Sequence, residues 1–269
     1  MFIKRNSLDF IKNHYSGRLK RQKLFNGLKH LALRGLNYGD GGSIELSGEI
    51  ELIKSLNEKG NDQSKFVVFD VGANQGDYCN ALLANLKLKN IGIWCFEPAL
   101  VAFKQLETIY GENPSVSLNQ IGFSNESGSF PLYNDEPGTT TASLFALERA
   151  FNSNEKLHDF EMITVTTIDE FAAQNNIEQI DFLKLDIEGN ELNALKGAAK
   201  MLKSKSIRSI QFEFGTCNID SRTYFRDFWF LLSNDFNIFR VVKDGLYPIT
   251  AYTEYDEVFA TINYYAELK

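Results

Sequence analysis

The sequence predicts an α/β protein with a mostly parallel sheet. Two observations support this prediction: short runs of β-branched and aromatic residues alternate with segments of helical spacing, and the first run ends in a glycine turn that leads directly into a helix. Such alternation is typical of parallel strands joined by right-handed crossovers. The first half is predicted as strand 66–71, helix 77–86, strand 91–96, helix 99–109 and strand 115–121.

The alternation is interrupted between residues 122 and 168 and then resumes. Residues 130–133 and 162–166 are predicted to pair as antiparallel strands, and the polar residues 138–158 to form a flap on the substrate side. The second half is predicted as helix 168–174, strand 181–186, helix 189–202, strand 207–214, helix 222–232, strand 236–241 and a last strand near 257–265.

Composition limits the class of protein. The chain has 269 residues, 43% of them hydrophobic, which suits one large domain with a small extension. No uncharged apolar run approaches the roughly 20 residues of a membrane helix, and residues 1–6 lack the apolar core of a signal peptide. Cys79, Cys95 and Cys217 are scattered without metal-type spacing, so reduced thiols and a cytoplasmic location are predicted.

Charge is unevenly distributed along the chain. Residues 1–34 carry nine Lys or Arg and one acid, a net charge of +8. The net charge of the whole chain is −7, so the remaining residues carry a net −15. Apolar residues at helical spacing predict one or two amphipathic helices over residues 7–33. This basic arm can meet an anionic lipid surface, a polyanionic substrate or the acidic face of a second subunit, or it can be a solvated face. The acidic remainder disfavours a broad nucleic-acid footprint.

Turn residues between Tyr38 and Ser43 mark the predicted boundary between the arm and the main domain. We therefore divide the chain into a basic helical extension, residues 1–44, and a domain, residues 45–269.

The run of apolar residues in the first strand ends in the acid Asp70, and Gly72, Asn74 and Gly76 follow. A buried strand that leads through a glycine-lined turn into a helix brings backbone amides close to a ligand, which is how nucleoside cofactors are held at the carboxyl edge of a parallel sheet. The three-glycine dinucleotide pattern is absent, because Asn74 occupies a position that often holds glycine. A tight turn without a ligand is the alternative.

Glu97 lies at the carboxyl end of the next strand and is followed by Pro98, which suits the first turn of a helix. An acid at this place can accept hydrogen bonds from both hydroxyls of a ribose. The alternative is a glutamate that only caps the helix.

Acidic residues follow a third strand, where Lys184 and Asp186 are predicted to face one side and Glu188 and Glu191 to come next. Clustered carboxylates raise one another's pKa, share a cation or bind hydroxyl groups. Each behaviour suits the activation of an alcohol. The alternative is that Glu188 and Glu191 only stabilise a helix N-terminus, and for Glu191 this alternative has equal weight.

Glu213 lies inside an apolar strand, where an unpaired carboxylate is costly. Its partner is predicted to be Lys184 or the substrate site. Of the three histidines, His158 lies in the flap and is a candidate base, with an ordinary surface histidine as the alternative.

In this order the motifs resemble those of the FkbM family of S-adenosylmethionine-dependent methyltransferases. The resemblance covers residues 45–268 and rests on segments 68–76, 96–98, 166–169, 184–191 and 263–264. It implies the class I methyltransferase fold, which is Rossmann-like: a seven-stranded, mostly parallel sheet with helices on both faces and an antiparallel last strand. It also implies O-methylation, often of a sugar hydroxyl.

The resemblance implies roles for individual residues. The cofactor-binding set that it implies is Asp70, Gly72, Ala73, Asn74 and Gly76 at the methionine part, Glu97 and Pro98 at the ribose, and Asn119 to Gly122, including Gln120, beside the adenine.

The candidate catalytic residues are Asp186, Glu188 and Glu213, of which Asp186 or Glu188 is expected to accept or orient the proton of an acceptor hydroxyl. A divalent cation held by Asp186 and Glu188 is an alternative activator. Two other classes of function stay open, a nicotinamide-dependent oxidoreductase and a non-catalytic scaffold with the methyltransferase fold. The acceptor is expected to be a small molecule or glycan, and the basic arm favours an anionic one.

Overall fold

A central sheet of eight strands organises the chain in a computed structural model that describes residues 5–60, 64–134, 143–145 and 159–269. The strands are β1 (Phe66–Val71), β2 (Ile91–Phe96), β3 (Val116–Asn119), β4 (Gly122–Phe123), β5 (Gly128–Asn134), β6 (Asp159–Thr166), β7 (Phe182–Leu185), β8 (Ser209–Phe214), β9 (Phe236–Val242), β10 (Gly245–Ile249) and β11 (Ile262–Leu268). The helices are α1 (Arg5–His14), α2 (Gln22–Gly35), α3 (Ile44–Ser47), α4 (Glu49–Ser55), α5 (Asp77–Asn85), α6 (Leu100–Tyr110), α7 (Ile168–Gln174), α8 (Glu191–Lys196), α9 (Ala199–Lys203), α10 (Cys217–Asp220) and α11 (Phe225–Leu232).

The sheet has the order β10-β9-β11-β8-β7-β1-β2-β3. Parallel pairing joins β3, β2, β1, β7 and β8, whereas β11 is antiparallel to both β8 and β9. This confirms the predicted α/β class with an antiparallel last strand. The expected number of seven strands is wrong by one, because the chain turns back at Lys243-Asp244 and the following residues form β10, which pairs with β9. Its Pro248 is tolerated because β10 is an edge strand.

Aromatic side chains fill the core beside the first strands. Phe69 and Phe96 have ring centroids 4.9 Å apart, and Phe171 of α7 meets Phe96 edge-on at 4.9 Å. All three side chains are buried. Full burial of such a side chain contributes about 3 kcal/mol, so this cluster fixes α7 against the carboxyl half of β1 and β2.

A second sheet, in the order β4-β6-β5, branches off after β3. Phe130 pairs with Ile163 in an antiparallel register, which confirms the predicted pairing of residues 130–133 with 162–166. The predicted third strand, 115–121, therefore ends early, and Gly122 and Phe123 join this second sheet. Most of the predicted flap 138–158, including His158, lies outside the described residues.

The helix predicted over 189–202 is two helices, α8 and α9, with Gly197 and Ala198 between them. The cause is a tertiary contact. The Asp169 carboxylate accepts hydrogen bonds from the N–H groups of Lys200 at 2.7 Å and Met201 at 3.0 Å, so it caps α9 from a distant segment. Other boundaries moved by a few residues: α11 begins at Phe225, and the last strand runs to Leu268.

The N-terminal arm forms α1 and α2, as its helical spacing predicts. Beyond α2 the chain attaches to the sheet. Asn37 is buried and donates to the carbonyl oxygens of Ser47 at 2.8 Å and Val241 at 3.3 Å, while the buried Tyr38 hydroxyl lies 3.4 Å from that of Tyr264. Core packing thus starts before the boundary predicted at residue 44. None of the helices that the structure describes is both long enough and apolar enough to cross a membrane.

Gly48 connects α3 to α4 with a φ of 95°, and a Cβ there would lie 2.1 Å from the Val242 carbonyl oxygen. Gly39 has a similar φ of 93° but nothing within 4 Å of a Cβ. We predict that Gly39→Ala costs about 1 kcal/mol through backbone strain alone. Gly48→Ala should cost roughly 3 kcal/mol or more, because strain and overlap add. Urea denaturation would measure both, and equal losses would contradict the contact with β9.

Candidate active site

A cavity of about 800 Å³ opens at the carboxyl edge of the parallel strands. Its wall contains the turn after β1, the end of β2, the start of β4 and the loop after β7. Residues 41–45 and 49–50 of the N-terminal region close another side. Ligands of open α/β sheets bind at this edge. The cavity is therefore the candidate site.

The glycine turn lies directly against the end of β7. Gly72 has a φ of 81°, and a Cβ there would lie 1.8 Å from the Asp186 carbonyl oxygen. Only glycine allows the two strand ends to come this close. Asn74 also has positive φ, at 46°, which asparagine tolerates. The backbone of Gly72, Ala73 and Asn74 consequently lines the cavity.

Glu97 joins the end of β2 to this turn. Its two carboxylate oxygens accept hydrogen bonds from the N–H groups of Asn74 and Ala99, both at 2.9 Å. The side chain lines the cavity although only 7% of the residue is exposed. Burial raises the pKa of the Glu97 carboxyl to about 7, against the lowering effect of the two N–H groups. Each oxygen retains a lone pair that can accept from a ligand hydroxyl.

Lys184 is buried in the cavity wall, between two acids. Its Nζ lies 3.4 Å from Asp70 Oδ1 and 3.3 Å from Asp186 Oδ2, and 4.9 Å from the centroid of the Tyr78 ring. Burial lowers the pKa of the Lys184 ammonium, but attraction to Asp186 and Asp70 raises it by more, so the net pKa lies above its ordinary value. Asp70 is completely buried, and it supports the cavity without lining it.

Among the acids predicted after the third strand and inside the fourth, Asp186, Glu188 and Glu213 reach the cavity, and Glu191 does not. The Glu188 carboxylate accepts a hydrogen bond from the Cys217 thiol at 2.6 Å, and its backbone has a strained φ of 52°. Glu191 is buried and accepts from the N–H groups of Ile187 and Gly189, so its place is structural.

The backbone of Glu213 belongs to β8, which pairs with β11, but its carboxylate has neither a hydrogen bond nor an ion pair from the residues that the structure describes. Two partners were predicted for this carboxylate, Lys184 and the substrate site. Lys184 pairs with Asp70 and Asp186, whereas Glu213 lines the cavity, which is the candidate substrate site. Burial raises the pKa of the Glu213 carboxyl well above its usual value, and the Asp186 and Glu188 carboxylates raise it further.

Sequence reasoning missed a buried polar network behind the cavity. Gln211 accepts from the Tyr78 hydroxyl at 2.7 Å and donates to Glu49 at 2.6 Å and Asn263 at 3.2 Å. Burial raises the pKa of Glu49, which also lines the cavity. A buried glutamine inside the apolar strand 207–214 was the available signal, but Glu49 lies on a short helix without any motif.

The other cofactor candidates divide into two groups. Pro98 and Gly122 line the cavity, whereas Gly76 does not, and Gln120 is exposed outside its wall. In the part of the chain that the structure describes, no group of three or more His, Cys, Asp or Glu side chains is arranged to hold a metal ion. The geometry thus gives no support to a divalent cation on Asp186 and Glu188.

The strand order, the glycine turn after β1 and the acid after β2 together define a class I methyltransferase fold of the Rossmann-like type. More specifically, the chain belongs to the FkbM methyltransferase family. The sequence profile of the Methyltransferase FkbM domain matches residues 70–238, which is more than half of the chain. This confirms the resemblance seen in the motifs.

Among curated proteins, the chain is similar to hexuronic acid methyltransferase AglP of Haloferax volcanii. The two are 26% identical over 174 residues, which cover 64% of this chain and 65% of AglP. The chain thus matches just under two thirds of the length of this relative.

Two solved methyltransferase structures are also similar to this chain. The FkbM methyltransferase from Methylobacillus flagellatus KT is 19% identical with a TM-score of 0.45, over 76% of this chain and 45% of the other. The O-methyltransferase from Bacillus cereus, in complex with SAH, is 10% identical with a TM-score of 0.45, over 97% of this chain and 96% of the other. The family assignment rests on the profile and not on these two similarities.

The buried ion pair between Lys184 and Asp70 can be tested by breaking it. We predict that Lys184→Met destabilises the protein by about 3–5 kcal/mol, because the Asp70 carboxylate is left buried without its cation. The double variant Asp70→Asn with Lys184→Met should recover a large part of this loss, since no charge is then stranded. Chemical denaturation of the three proteins provides the comparison. A Lys184→Met protein as stable as the wild type would contradict the pairing.

Proposed function

We propose that this chain transfers a methyl group from S-adenosylmethionine to a hydroxyl oxygen of a sugar. The observation that carries the proposal is that one cavity is lined both by groups that suit a nucleoside and by groups that suit an alcohol. A buried carboxylate, Glu97, lies beside a backbone turn at one strand end, and three carboxylates lie at the ends of β7 and β8. The first arrangement suits a nucleoside and the second suits an alcohol.

The residues present fit the cofactor. Glu97 offers two acceptor oxygens for a pair of ribose hydroxyls. Ile121, Gly122 and Phe123 give the cavity an apolar wall suited to a flat purine. The backbone of Gly72 and Ala73 would hold the methionine end. When bound, S-adenosylmethionine supplies a methyl group made transferable by its positively charged sulfur.

The protein's own task is to position the acceptor hydroxyl and to accept its proton. Asp186 and Glu188 are each held in place, by Lys184 and by the Cys217 thiol, and suit the orientation of sugar hydroxyls. Glu213 combines a pKa raised above its ordinary value with a place in the cavity wall, which makes its carboxylate a stronger proton acceptor than an ordinary glutamate. We assign the proton of the acceptor hydroxyl to a Glu213 carboxylate oxygen, from which it passes to solvent.

A sugar acceptor is favoured by the relative AglP, whose name states a hexuronic acid substrate. Carboxylates that accept hydrogen bonds from several hydroxyls at once suit a carbohydrate better than a simple alcohol.

The cofactor assignment predicts the outcome of calorimetry. S-adenosylmethionine should bind saturably and NAD should not. Glu97→Gln should weaken binding about tenfold to a hundredfold, because a charged acceptor for ribose hydroxyls is lost. Wild-type affinity should fall as the pH drops through about 7, where Glu97 becomes protonated, and the affinity of Glu97→Gln should change less.

Glu45→Gln is the matched control, since it removes the same charge from an exposed position in the same cavity wall. If both variants weakened the binding of S-adenosylmethionine equally, the assignment of Glu97 to the ribose hydroxyls would be wrong. Saturable binding of NAD alone would overturn the methyltransferase assignment of the cofactor.

Methyl transfer is tested with labelled S-adenosylmethionine and saccharides that contain a hexuronic acid. The wild type should label the saccharide, and Glu213→Gln should lower kcat by at least about a hundredfold through loss of the base. Wild-type kcat should rise with pH as Glu213 loses its proton. Asp186→Asn removes a neighbouring negative charge and should therefore move this rise to lower pH. If kcat of Glu213→Gln still rose with pH over the same range as kcat of the wild type, the base would be another group.

A further inference from the structure

We propose that α2 and the segment before it dock the protein on an anionic lipid surface. The basic arm takes no part in the proposed methyl transfer, and its docking depends on neither the acceptor nor the cofactor.

Three leucines form an exposed apolar stripe on α2. Leu24, Leu28 and Leu31 lie four and three positions apart, so they share one helix face. They are exposed by 52%, 48% and 69%. The structure describes all fourteen residues of α2, and none of them is buried. Leu33 lies on the other side of the helix and packs against the core, which leaves the leucine stripe pointing away from the domain.

Positive charge accompanies the stripe. Lys23, Lys29 and Arg34 lie on α2, and no Asp or Glu occurs from Phe10 to Gly39. Before α2, the Arg21 guanidinium lies 4.9 Å from the centroid of the Tyr15 ring, which connects the end of α1 to the start of α2. An apolar face flanked by Lys and Arg is the composition of helices that lie in the interface of a negatively charged bilayer.

Charge favours a lipid surface over a second copy of the chain. Two arms brought together would oppose cations to cations, since residues 1–34 carry a net +8. The acidic remainder of a second copy would attract the positive charges of the arm. To bury the leucine stripe as well, however, that copy would have to offer a continuous apolar surface. The exposed large apolar side chains among the other described residues are distributed over several elements, with Ile109 on α6 and Phe230 on α11 as examples.

The attachment of the arm places the cavity close to the docked helix. Asn37 and Tyr38 anchor the chain to β9 and β11 directly after α2, and Gly41 to Glu45 already form the cavity wall. The body carries −15 and is repelled by an anionic surface, so contact is limited to the arm. This arrangement holds the cavity near the membrane without inserting the domain.

Vesicle flotation tests the proposal with the full chain. The wild type should float with vesicles of equal parts phosphatidylcholine and phosphatidylglycerol, and at least about tenfold less with phosphatidylcholine alone. Raising the salt concentration should release it. The triple variant Leu24→Ser, Leu28→Ser, Leu31→Ser should bind at least about tenfold more weakly. The triple variant Lys23→Gln, Lys29→Gln, Arg34→Gln should lose the preference for the anionic vesicles.

Ile109→Ser with Phe230→Ser is the matched control, because it removes exposed apolar side chains from the body and should leave flotation unchanged. Sedimentation velocity of the same proteins identifies a second copy. A wild type that stays soluble with both vesicles, or a leucine variant that binds as well as the wild type, would overturn the proposal. A dimer that the leucine variant converts to monomer, without vesicle binding, would assign the stripe to a second copy. Methyl transfer is not measured in this assay, so its outcome leaves the proposed activity untouched.

Discussion

The carboxyl edge of the sheet depends on the ion pairs that the ammonium group of Lys184 forms with two acids. The ammonium group lies between Asp70 on β1 and Asp186 after β7, on neighbouring strands whose register places Asp70 opposite Lys184. The Asp70 carboxylate is completely buried, and the Lys184 ammonium offsets the cost of burying its charge, so the two side chains constrain each other. Asp186 shares the same cation, and its side chain, 39% exposed, is thereby directed to the cavity. The stability of the strands and the position of a functional carboxylate thus have one common cause.

Carboxylates in this site have different roles because their surroundings differ. Glu191 is satisfied by backbone N–H groups and serves the loop after β7. Glu97 is held by two N–H groups but still faces the cavity. Glu213 lies among other acids, where burial and repulsion disfavour its charge. Residue type alone does not separate these cases.

Much of the fold was predictable from local patterns. The bounds of β1 and β2 follow from apolar runs that end at Asp70 and Glu97, and α7 follows from its own pattern. The edge strand β10 was missed because it contains Pro248 and has two exposed residues, so it lacks the signal of a buried strand. The break between α8 and α9 was missed because its cap, Asp169, comes from another part of the chain.

The sequence by itself determined the family, the order of the strands along the chain and the acids that gather at one sheet edge. These properties are carried by short motifs whose meaning is local: a turn that needs glycine, an acid at a strand end, a helical spacing of leucines. Tertiary structure decided which acid pairs with Lys184, that Glu49 and Gln211 form a network behind the cavity, and that residues 41–45 and 49–50 close its wall. The physical reason is that pairing and burial depend on distances between segments far apart in the chain, which no local pattern encodes.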